Sequence, residues 1–265
     1  MKYNLHTHTY LCHHAKGTPR EYIERAIAEG ITSMGFSDHA PFAFPDGYQT
    51  PARVPMERGE EYMTMLRSLR EEYRDRIDLY IGFEMEYYPL YFKDMLRIVT
   101  ELGAEYLILG EHYVKNEHPG DNHYLGKVND SEEELVEYAD TVAEGMGTGL
   151  FTYVAHPDLF NFQGDPRLYE EQMRKLCRAS VRYDVPLEIN CLGIRDHRNY
   201  PDPVFWRIAG EEGCSAVIGF DAHTVRSAYD AESIPIAEAI ARQNGLRLVE
   251  RPGLVDPKTG RKYEI

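Results

Sequence analysis

Seven short apolar segments alternate with seven helical segments along this chain of 265 residues. The predicted strands cover residues 3–5, 33–36, 79–83, 106–109, 151–154, 186–189 and 216–219. No linker or low-complexity run separates the segments, so the pattern predicts one α/β domain over residues 1–265, with helices covering a parallel sheet. A Gly-rich phosphate fingerprint is missing, which argues against a dinucleotide-binding fold. We therefore expect a closed or nearly closed barrel.

Most of the predicted strands end in residues of the types that bind metal ions. These residues are His6 and His8, His39, Glu84, His112, His156, and Asp221 with His223. In α/β barrels the functional groups lie at the C-terminal ends of the strands, which is where these residues fall. The sixth strand differs, because the loop behind it supplies arginines.

This set of candidate ligands is too large for one ion, since a single zinc ion needs only three or four protein ligands. We therefore expect two or three divalent metal ions. Multinuclear sites clamp a phosphoryl oxygen and lower the pKa of a bound water, which is the chemistry of phosphate-ester hydrolysis. The identity of the metal stays open, because affinity order and cellular availability decide it.

The first fourteen residues contain four of the eleven histidines, His6, His8, His13 and His14. His6 and His8 leave the opening strand on one face, so both can bind the same ion. An expression tag and a chance cluster are the alternatives. A tag would be an uninterrupted run rather than a strand-borne pair, and chance would rarely concentrate the histidines in this way, so metal binding is favoured.

The formal net charge is −15. Such a surface repels a polyanion, whereas a small phosphorylated metabolite needs only a locally positive pocket, so we expect the metabolite and disfavour nucleic acid. No apolar run approaches the roughly 20 residues of a membrane span, and Met1 runs into the first strand without a signal peptide. These features favour a cytoplasmic protein without a membrane partner. The four cysteines have no CxxC spacing, although Cys12 lies close enough to the histidines to be a minor candidate ligand.

Two long segments, 41–55 and 115–130, are expected to cover the site as lids. We call them the first and second lid segments. Directly after the second, Ser131 and Glu134 have the spacing of a capping box, which predicts the start of a helix.

Several strand-end motifs belong together: His6-Thr7-His8 followed by His14, Ser37-Asp38-His39, Glu84, His112, His156 and Asp221-Ala222-His223. This combination resembles the polymerase and histidinol phosphatase (PHP) superfamily, and the resemblance extends from residue 2 to residue 223. It implies a distorted (β/α)7 barrel with a trinuclear centre of zinc, manganese or iron at the C-terminal ends of the strands.

The resemblance also implies which residues hold the ions. Carried over by position, the ligands are His6, His8, Glu84 and Asp221 for the first ion, Glu84, His112 and His156 for the second, and His14, His39 and His223 for the third. His14 is preferred to His13 because of its spacing from His8.

The segment 6–15 and the run from Glu188 to Arg195 are most similar to the stand-alone histidinol-phosphatases of bacterial histidine biosynthesis. In that subfamily an arginine at the matching position binds the substrate phosphate, which implies this role for Arg195. An arginine fork suits a phosphate, and Arg198 is a second candidate. The alternative for both is a solvated surface arginine.

Asp158 lies two residues beyond His156. It is either a general acid for the leaving alkoxide or a carboxylate that orients another group, and we name it as the candidate acid.

These features lead to three hypotheses. The first is a metal-dependent phosphomonoesterase that hydrolyses a small phosphate ester, with L-histidinol phosphate as the expected substrate, by attack of a metal-bound hydroxide. The second keeps the metal centre but changes the substrate to a phosphodiester or nucleotide, as in exonuclease-like members of the superfamily. The third is a non-catalytic metal-binding scaffold. The alcohol part of the substrate depends on the lid segments and stays open, as does the oligomeric state.

Overall fold

The parallel strands of the computed structural model, which describes residues 1–264, form two sheets. The first sheet has the order β1-β2-β3-β4, made of β1 (Tyr3–Asn4), β2 (Ser33–His39), β3 (Asp78–Met85) and β4 (Leu107–Leu109). The second has the order β5-β6-β7, made of β5 (Leu187–Asn190), β6 (Ser215–Gly219) and β7 (Arg247–Leu248). All the strand pairs within these two sheets are parallel.

Isolated backbone bridges join the two sheets into a ring. Val154 pairs in parallel with Leu109 on one side and with Leu187 on the other. At the opposite seam, Thr7 pairs in parallel with Ala222. The predicted distorted (β/α)7 barrel is therefore confirmed, although the expected fifth strand, 151–154, is reduced to these bridges.

The register of the strands brings the candidate ligands to one end of the barrel. β2 and β3 pair from Ser33 opposite Asp78 to His39 opposite Glu84, so the last residue of β2 lies beside Glu84. Almost every residue of these strands is buried, as expected for parallel strands that helices cover on the outside.

The helices that cover the barrel are α1 (Pro19–Ala28), α2 (Gly59–Tyr73), α3 (Phe92–Leu102), α4 (Glu132–Gly147), α5 (Pro166–Tyr183), α6 (Cys191–Arg195), α7 (Pro203–Glu212) and α8 (Ile234–Gln243). No helix within residues 1–264 is both long enough and apolar enough to cross a membrane. The chain ends in an antiparallel pair, β8 (Leu254–Val255) with β9 (Lys262–Tyr263).

Two local predictions need correction. Ser131 caps α4 by accepting a hydrogen bond from the backbone N of Glu134, but the carboxylate of Glu134 does not complete a capping box. It binds the side chains of His123 and Asn129 instead. The loop predicted after the sixth strand begins with helix α6, which Asn190 caps.

The two lid segments lie against each other over the end of the barrel. Arg53 of the first donates a hydrogen bond to Glu117 of the second. Nε2 of His118 lies 2.9 Å from Oδ2 of Asp46, and its ring packs against that of Phe44 at 5.1 Å between centroids. These contacts place both segments beside the candidate ligands.

Candidate metal centre

The carboxylate of Glu84, which is almost fully buried, lies in the middle of the histidine cluster. Its Oε2 is 3.6 Å from Nε2 of His6, 3.5 Å from Nε2 of His8 and 3.2 Å from Nδ1 of His39. Metal–ligand bonds of about 2.0–2.3 Å place neighbouring ligand atoms about 3–4 Å apart, so these separations suit a shared ion.

The other oxygen of Glu84 faces a second pair of histidines. Oε1 is 2.8 Å from Nε2 of His156 and 3.7 Å from Nε2 of His112. Gly110 makes room for it, because a Cβ at that position would lie 2.1 Å from Oε1. One carboxylate therefore contacts two groups of histidines, which is the geometry of a bridging ligand.

Asp221 and His223 close the cluster from the end of β6. Oδ1 of Asp221 is 3.3 Å from Nε2 of His8, 3.6 Å from Nε2 of His6 and 3.2 Å from Nδ1 of His223. The backbone φ angle is +46° at Asp221 and +30° at His156. Non-glycine residues rarely adopt positive φ, and such strain is found at functional sites.

His14 also joins the cluster, whereas His13 faces away from it. The ring of His14 stacks on that of His223 with centroids 4.8 Å apart, and its Nδ1 lies 2.7 Å from the carbonyl O of Cys12. His13 is exposed, and its Nδ1 lies 2.9 Å from the carbonyl O of Pro51. The buried Cys12 thiol donates to a backbone carbonyl oxygen at 3.1 Å, which occupies its proton.

Several buried atoms in the cluster have no hydrogen-bond partner within residues 1–264. They are Nε2 of His6, His8 and His223, Nδ1 of His156, Oε2 of Glu84 and Oδ1 of Asp221. Burying such atoms without partners is costly, and bound metal ions would supply the missing partners. The donor set therefore fits divalent metal ions that accept imidazole and carboxylate ligands.

Within residues 1–264, five groups of possible ligands have their donor atoms within 4.8 Å of one another. Two of them contain Cys12, once with His14 and His223 and once with His8 and Asp38, so Cys12 stays a minor candidate ligand. The other three are His6 with His8 and Asp221, His39 with Glu84 and His112, and His8 with His39 and His223. The first of these three groups agrees with the set implied for the first ion. His39 belongs to two groups, so it lies between the places expected for the second and third ions.

The electrostatics of the cluster also favour a bound cation. Burial alone would raise the pKa of Glu84, but the neighbouring imidazoles hold that pKa well below its usual value. Burial alone would lower the pKa of His6, yet the surrounding carboxylates, Glu188 first, raise that pKa well above its usual value. The buried carboxylates therefore stabilise positive charge at this place, which metal ions would supply.

Buried carboxylates fix the orientation of three of these histidines through the other ring nitrogen, Nδ1. The pairs are His6 with Glu188 at 2.8 Å, His8 with Asp38 at 3.2 Å and His112 with Glu86 at 2.8 Å. Such partners set the tautomer and raise the basicity of the ligand atom. Glu188 was not predicted from the sequence, where its signal is a single carboxylate between Leu187 and Ile189 in the buried strand β5.

The cluster opens onto a cavity of about 450 Å³. Besides the candidate ligands, the residues that line it include Arg53 and Glu117 from the lid segments, Tyr113 and Tyr124 around the second lid segment, and Arg198 with Tyr200 after α6. This volume accommodates a small metabolite.

The family model for the PHP domain matches residues 4–191, more than half of the chain. The chain belongs to the PHP family. Membership of this family accounts for both the barrel and the histidines at the ends of its strands.

Relatives with assigned names support the same family. A probable histidinol-phosphatase from Deinococcus radiodurans is 31% identical over 235 residues, which cover 82% of this chain and 85% of the relative. The crystal structure of histidinol phosphate phosphatase from Lactococcus lactis, in complex with zinc, L-histidinol and phosphate, has a TM-score of 0.73, covers 99% of both chains and is 18% identical. A putative histidinol phosphatase from Listeria monocytogenes has a TM-score of 0.70 at 20% identity, covering 88% of this chain and 99% of its own. The two structures establish the shared fold.

Within this PHP barrel, the two arginines that are candidates for phosphate binding, Arg195 and Arg198, lie in different surroundings. Arg195 donates hydrogen bonds to the carboxylate of Asp230 and to the backbone carbonyls of Phe220 and Asp221, at 3.5 Å and 3.3 Å, and it does not line the cavity. These contacts engage the guanidinium of Arg195 with groups of the protein, and its role in binding phosphate stays a prediction. Arg198 does line the cavity.

Asp158 is also placed differently from the prediction. Its Oδ2 accepts hydrogen bonds from the backbone N of Asp202 at 2.7 Å and from Nε1 of Trp206 at 2.9 Å. It lines a separate cavity beside α7 instead of the one at the PHP metal centre. Burial raises the pKa of Asp158 to about 7, but its carboxylate faces α7, so the orienting role fits better than that of a general acid.

Proposed function

We propose that this chain is a metal-dependent phosphomonoesterase that hydrolyses L-histidinol phosphate to L-histidinol and inorganic phosphate. The observation that carries the proposal is that the buried cluster of unpartnered histidine and carboxylate atoms opens onto a cavity that Arg198 also lines. The substrate is inferred from the relatives, several of which are named histidinol-phosphatase.

The residues assigned to hold two or three divalent ions are the nine candidate ligands: His6, His8, His14, His39, Glu84, His112, His156, Asp221 and His223. Zinc is the first choice, because the Lactococcus lactis relative binds it, and manganese and iron suit the same donor set. Bound ions would polarise the phosphoryl group and lower the pKa of a nearby water.

The protein's own side chains bind and orient the substrate. Arg198 is assigned to the phosphate, since its guanidinium lines the cavity and its contacts with Tyr200 at 3.2 Å and Asp196 at 3.4 Å are long. Glu188, Asp38 and Glu86 hold their histidines with Nε2 directed into the cluster.

The cavity size and the net charge of −15 favour a small phosphorylated metabolite over nucleic acid. We expect the reaction in the cytoplasm, and this location stays a prediction.

Phosphate release by metal-loaded protein tests the proposal. The substrates are L-histidinol phosphate, a mononucleotide, an aryl phosphate and a phosphodiester. Glu84→Gln serves as the metal-centre variant, and Glu171→Gln, on the exposed face of α5, is its matched control. We expect the highest kcat/KM with L-histidinol phosphate, lost in Glu84→Gln and kept in Glu171→Gln. A preference for the diester, or equally weak rates with all four, would contradict the assignment.

A further inference from the structure

The wall of the cavity beside His112 has its own chemistry, separate from the metal-type residues. It contains Arg53 and Glu117 from the two lid segments, with the rings of Tyr113 and Tyr124. Glu117 is only 4% exposed, yet it lines the cavity. A buried carboxylate needs a positively charged or hydrogen-bonding partner, and Arg53 supplies one to Oε1 of Glu117.

We propose that Glu117 binds a positively charged group on the alcohol part of the substrate, an ammonium or an imidazolium. This inference rests on the proposed function and adds to it the reason why one phosphate ester is chosen over another. Glu117 is then a binding residue that determines specificity, and the lid segments are the part of the chain that supplies it.

The charges around Glu117 favour a cation. Arg53 donates through Nε to Oε1 of Glu117 and through Nη1 to the carbonyl O of Ala40 at 3.1 Å. Its Nη2 lies 3.6 Å from Oε1 of Glu86. A single guanidinium therefore faces two carboxylates, Glu117 and Glu86, and carboxylate oxygens at a cavity wall attract a cationic group.

Glu117 lies at a suitable place for the leaving alcohol. Glu86 contacts Arg53 and also accepts hydrogen bonds from Nδ1 and the backbone N of His112, at 2.8 Å and 2.9 Å. Glu117 is thus separated from His112 by one guanidinium and one carboxylate. An ester whose phosphate lies at the metal-type residues can extend its alcohol part along this wall.

The aromatic rings at this wall add to the attraction. Tyr113 and Tyr124 form an antiparallel backbone bridge, and their ring centroids are 6.0 Å apart. Both rings line the cavity. Aromatic faces attract ammonium and flat cationic groups, so a cavity lined by a carboxylate and by tyrosines suits a protonated amine or imidazole.

A purely structural role for Glu117, in which it only joins the lid segments through Arg53, makes a different prediction. Loss of that role would lower kcat/KM for every substrate to the same extent. Loss of a cation-binding residue would disturb only cationic substrates, so two esters that share the phosphate but differ in charge separate the two roles.

The test compares the kinetics of metal-loaded Glu117→Gln and metal-loaded wild-type protein. The two substrates are L-histidinol phosphate, whose alcohol part is cationic, and an aryl phosphate whose alcohol part is uncharged and which is called the neutral ester. A charge-assisted hydrogen bond predicts that kcat/KM for the cationic ester falls by at least about 10-fold relative to the neutral one, mainly through KM. Glu117→Asp, which keeps the charge, should recover part of this ratio. Asp121→Asn, an exposed carboxylate of the same lid segment, is the matched control and should leave the ratio unchanged. An equal fall for both esters would overturn the proposal.

Calorimetric titration with L-histidinol keeps the inference separate from the proposed function, because binding needs no hydrolysis. We expect wild-type protein to bind this amino alcohol at least about 10-fold more tightly than Glu117→Gln does. Equal affinities would overturn the role of Glu117 even if the phosphatase activity is found. If the variant binds L-histidinol more weakly but the wild-type protein has no phosphatase activity, the cation-binding role of Glu117 is supported and the proposed phosphatase function is refuted.

Discussion

Nδ1 of His6 lies 2.8 Å from Oε1 of Glu188, and both side chains are fully buried. The second carboxylate oxygen, Oε2, accepts hydrogen bonds from the backbone N of His156 at 3.0 Å and from Nδ2 of Asn190 at 2.8 Å. One carboxylate in β5 therefore orients candidate ligands at two other strand ends. Gly219 leaves space for it, since a Cβ there would lie 1.7 Å from Oε1.

We expect Glu188→Gln to weaken metal binding by about 10- to 100-fold, the usual effect of removing a carboxylate that orients a metal ligand. If the amide oxygen keeps the contact with His6, the amide NH₂ faces two donors, the N of His156 and Nδ2 of Asn190. Competition for zinc with a chromophoric chelator measures the affinity. Glu171→Gln is the matched control, and an unchanged zinc affinity in Glu188→Gln would refute the role of Glu188.

Gly110→Ala should displace the bridging carboxylate. Its Cβ would lie 2.1 Å from Oε1 of Glu84, so the side chain or the backbone must move. We expect a loss of about 1–3 kcal/mol in the free energy of unfolding and a reduced metal content after purification. Denaturant titration and elemental analysis measure the two effects.

Gly147→Ala is the control for this change. At the end of α4 an added Cβ meets only the side chain of Tyr183, at 3.3 Å, so metal content should not change. Full metal content in Gly110→Ala would show that Glu84 does not need the space that Gly110 leaves.

The sequence predicts the metal-type residues well because their placement follows from chain topology. In a ring of parallel strands the C-terminal ends meet, so a histidine or carboxylate at the C-terminal end of a strand joins the cluster, as His39 and Glu84 do. The family resemblance adds the grouping of these residues, which strand order alone does not give.

Side chains further from the strand ends could not be placed in this way. Arg195 and Asp158 are directed by partners that lie 35 and 48 residues further along the chain, Asp230 and Trp206. The helix α6, which the sequence pattern did not reveal, carries Arg195 to those partners. Such contacts depend on tertiary packing rather than on local sequence, so the sequence alone could not show that Arg198 lines the cavity and that Arg195 contacts Asp230.

The two arginines should give different kinetic results when each is changed to alanine. Arg198→Ala removes a guanidinium from the cavity, and we expect KM for the phosphate ester to rise by about 10-fold or more, since a charge-assisted contact is lost. Arg195→Ala removes the hydrogen bonds to Phe220 and Asp221, so we expect lower stability and lower metal content.

Steady-state kinetics, thermal unfolding and elemental analysis of both variants separate these outcomes. Arg198→Lys should recover only part of the effect, because an ammonium cannot form the two parallel hydrogen bonds of a guanidinium. A raised KM in Arg195→Ala at full metal content would restore the role that the sequence assigned to Arg195.

Asp158→Asn tests the predicted acid. Because the Asp158 carboxylate accepts hydrogen bonds from Asp202 and Trp206 and lines a different cavity, we expect kcat to fall by less than about 5-fold. Removal of a general acid would lower kcat by about 10²- to 10⁴-fold and flatten the basic limb of the pH profile. The kcat–pH profile of the variant therefore decides between the two roles. Asp75→Asn, which changes an exposed carboxylate, is the matched control and should keep the wild-type profile.

The contact between His118 and Asp46 should make the docking of the lid segments depend on pH. The hydrogen bond to Asp46 raises the pKa of His118 above its usual value. The backbone N of Tyr48 and then His118 lower the pKa of Asp46. The contribution of His118 is fully present below its unfolded pKa of about 6.5 and is lost as pH rises through the raised folded pKa. The contribution of Asp46 is present above its unfolded pKa of about 3.9 and is lost as pH falls through the lowered folded value.

Docking of the lid segments should therefore be strongest between about pH 4 and pH 6.5 and weaker at pH 8.5. Amide hydrogen exchange of residues 115–123, corrected for intrinsic rates and compared at pH 6 and pH 8.5, measures it. We expect protection to fall with pH in wild-type protein, and to be low and nearly constant in His118→Gln. Exchange in the buried strand β3 should not differ between the two proteins, which provides the internal control. The same pH dependence in both proteins would show that another group controls the lid segments.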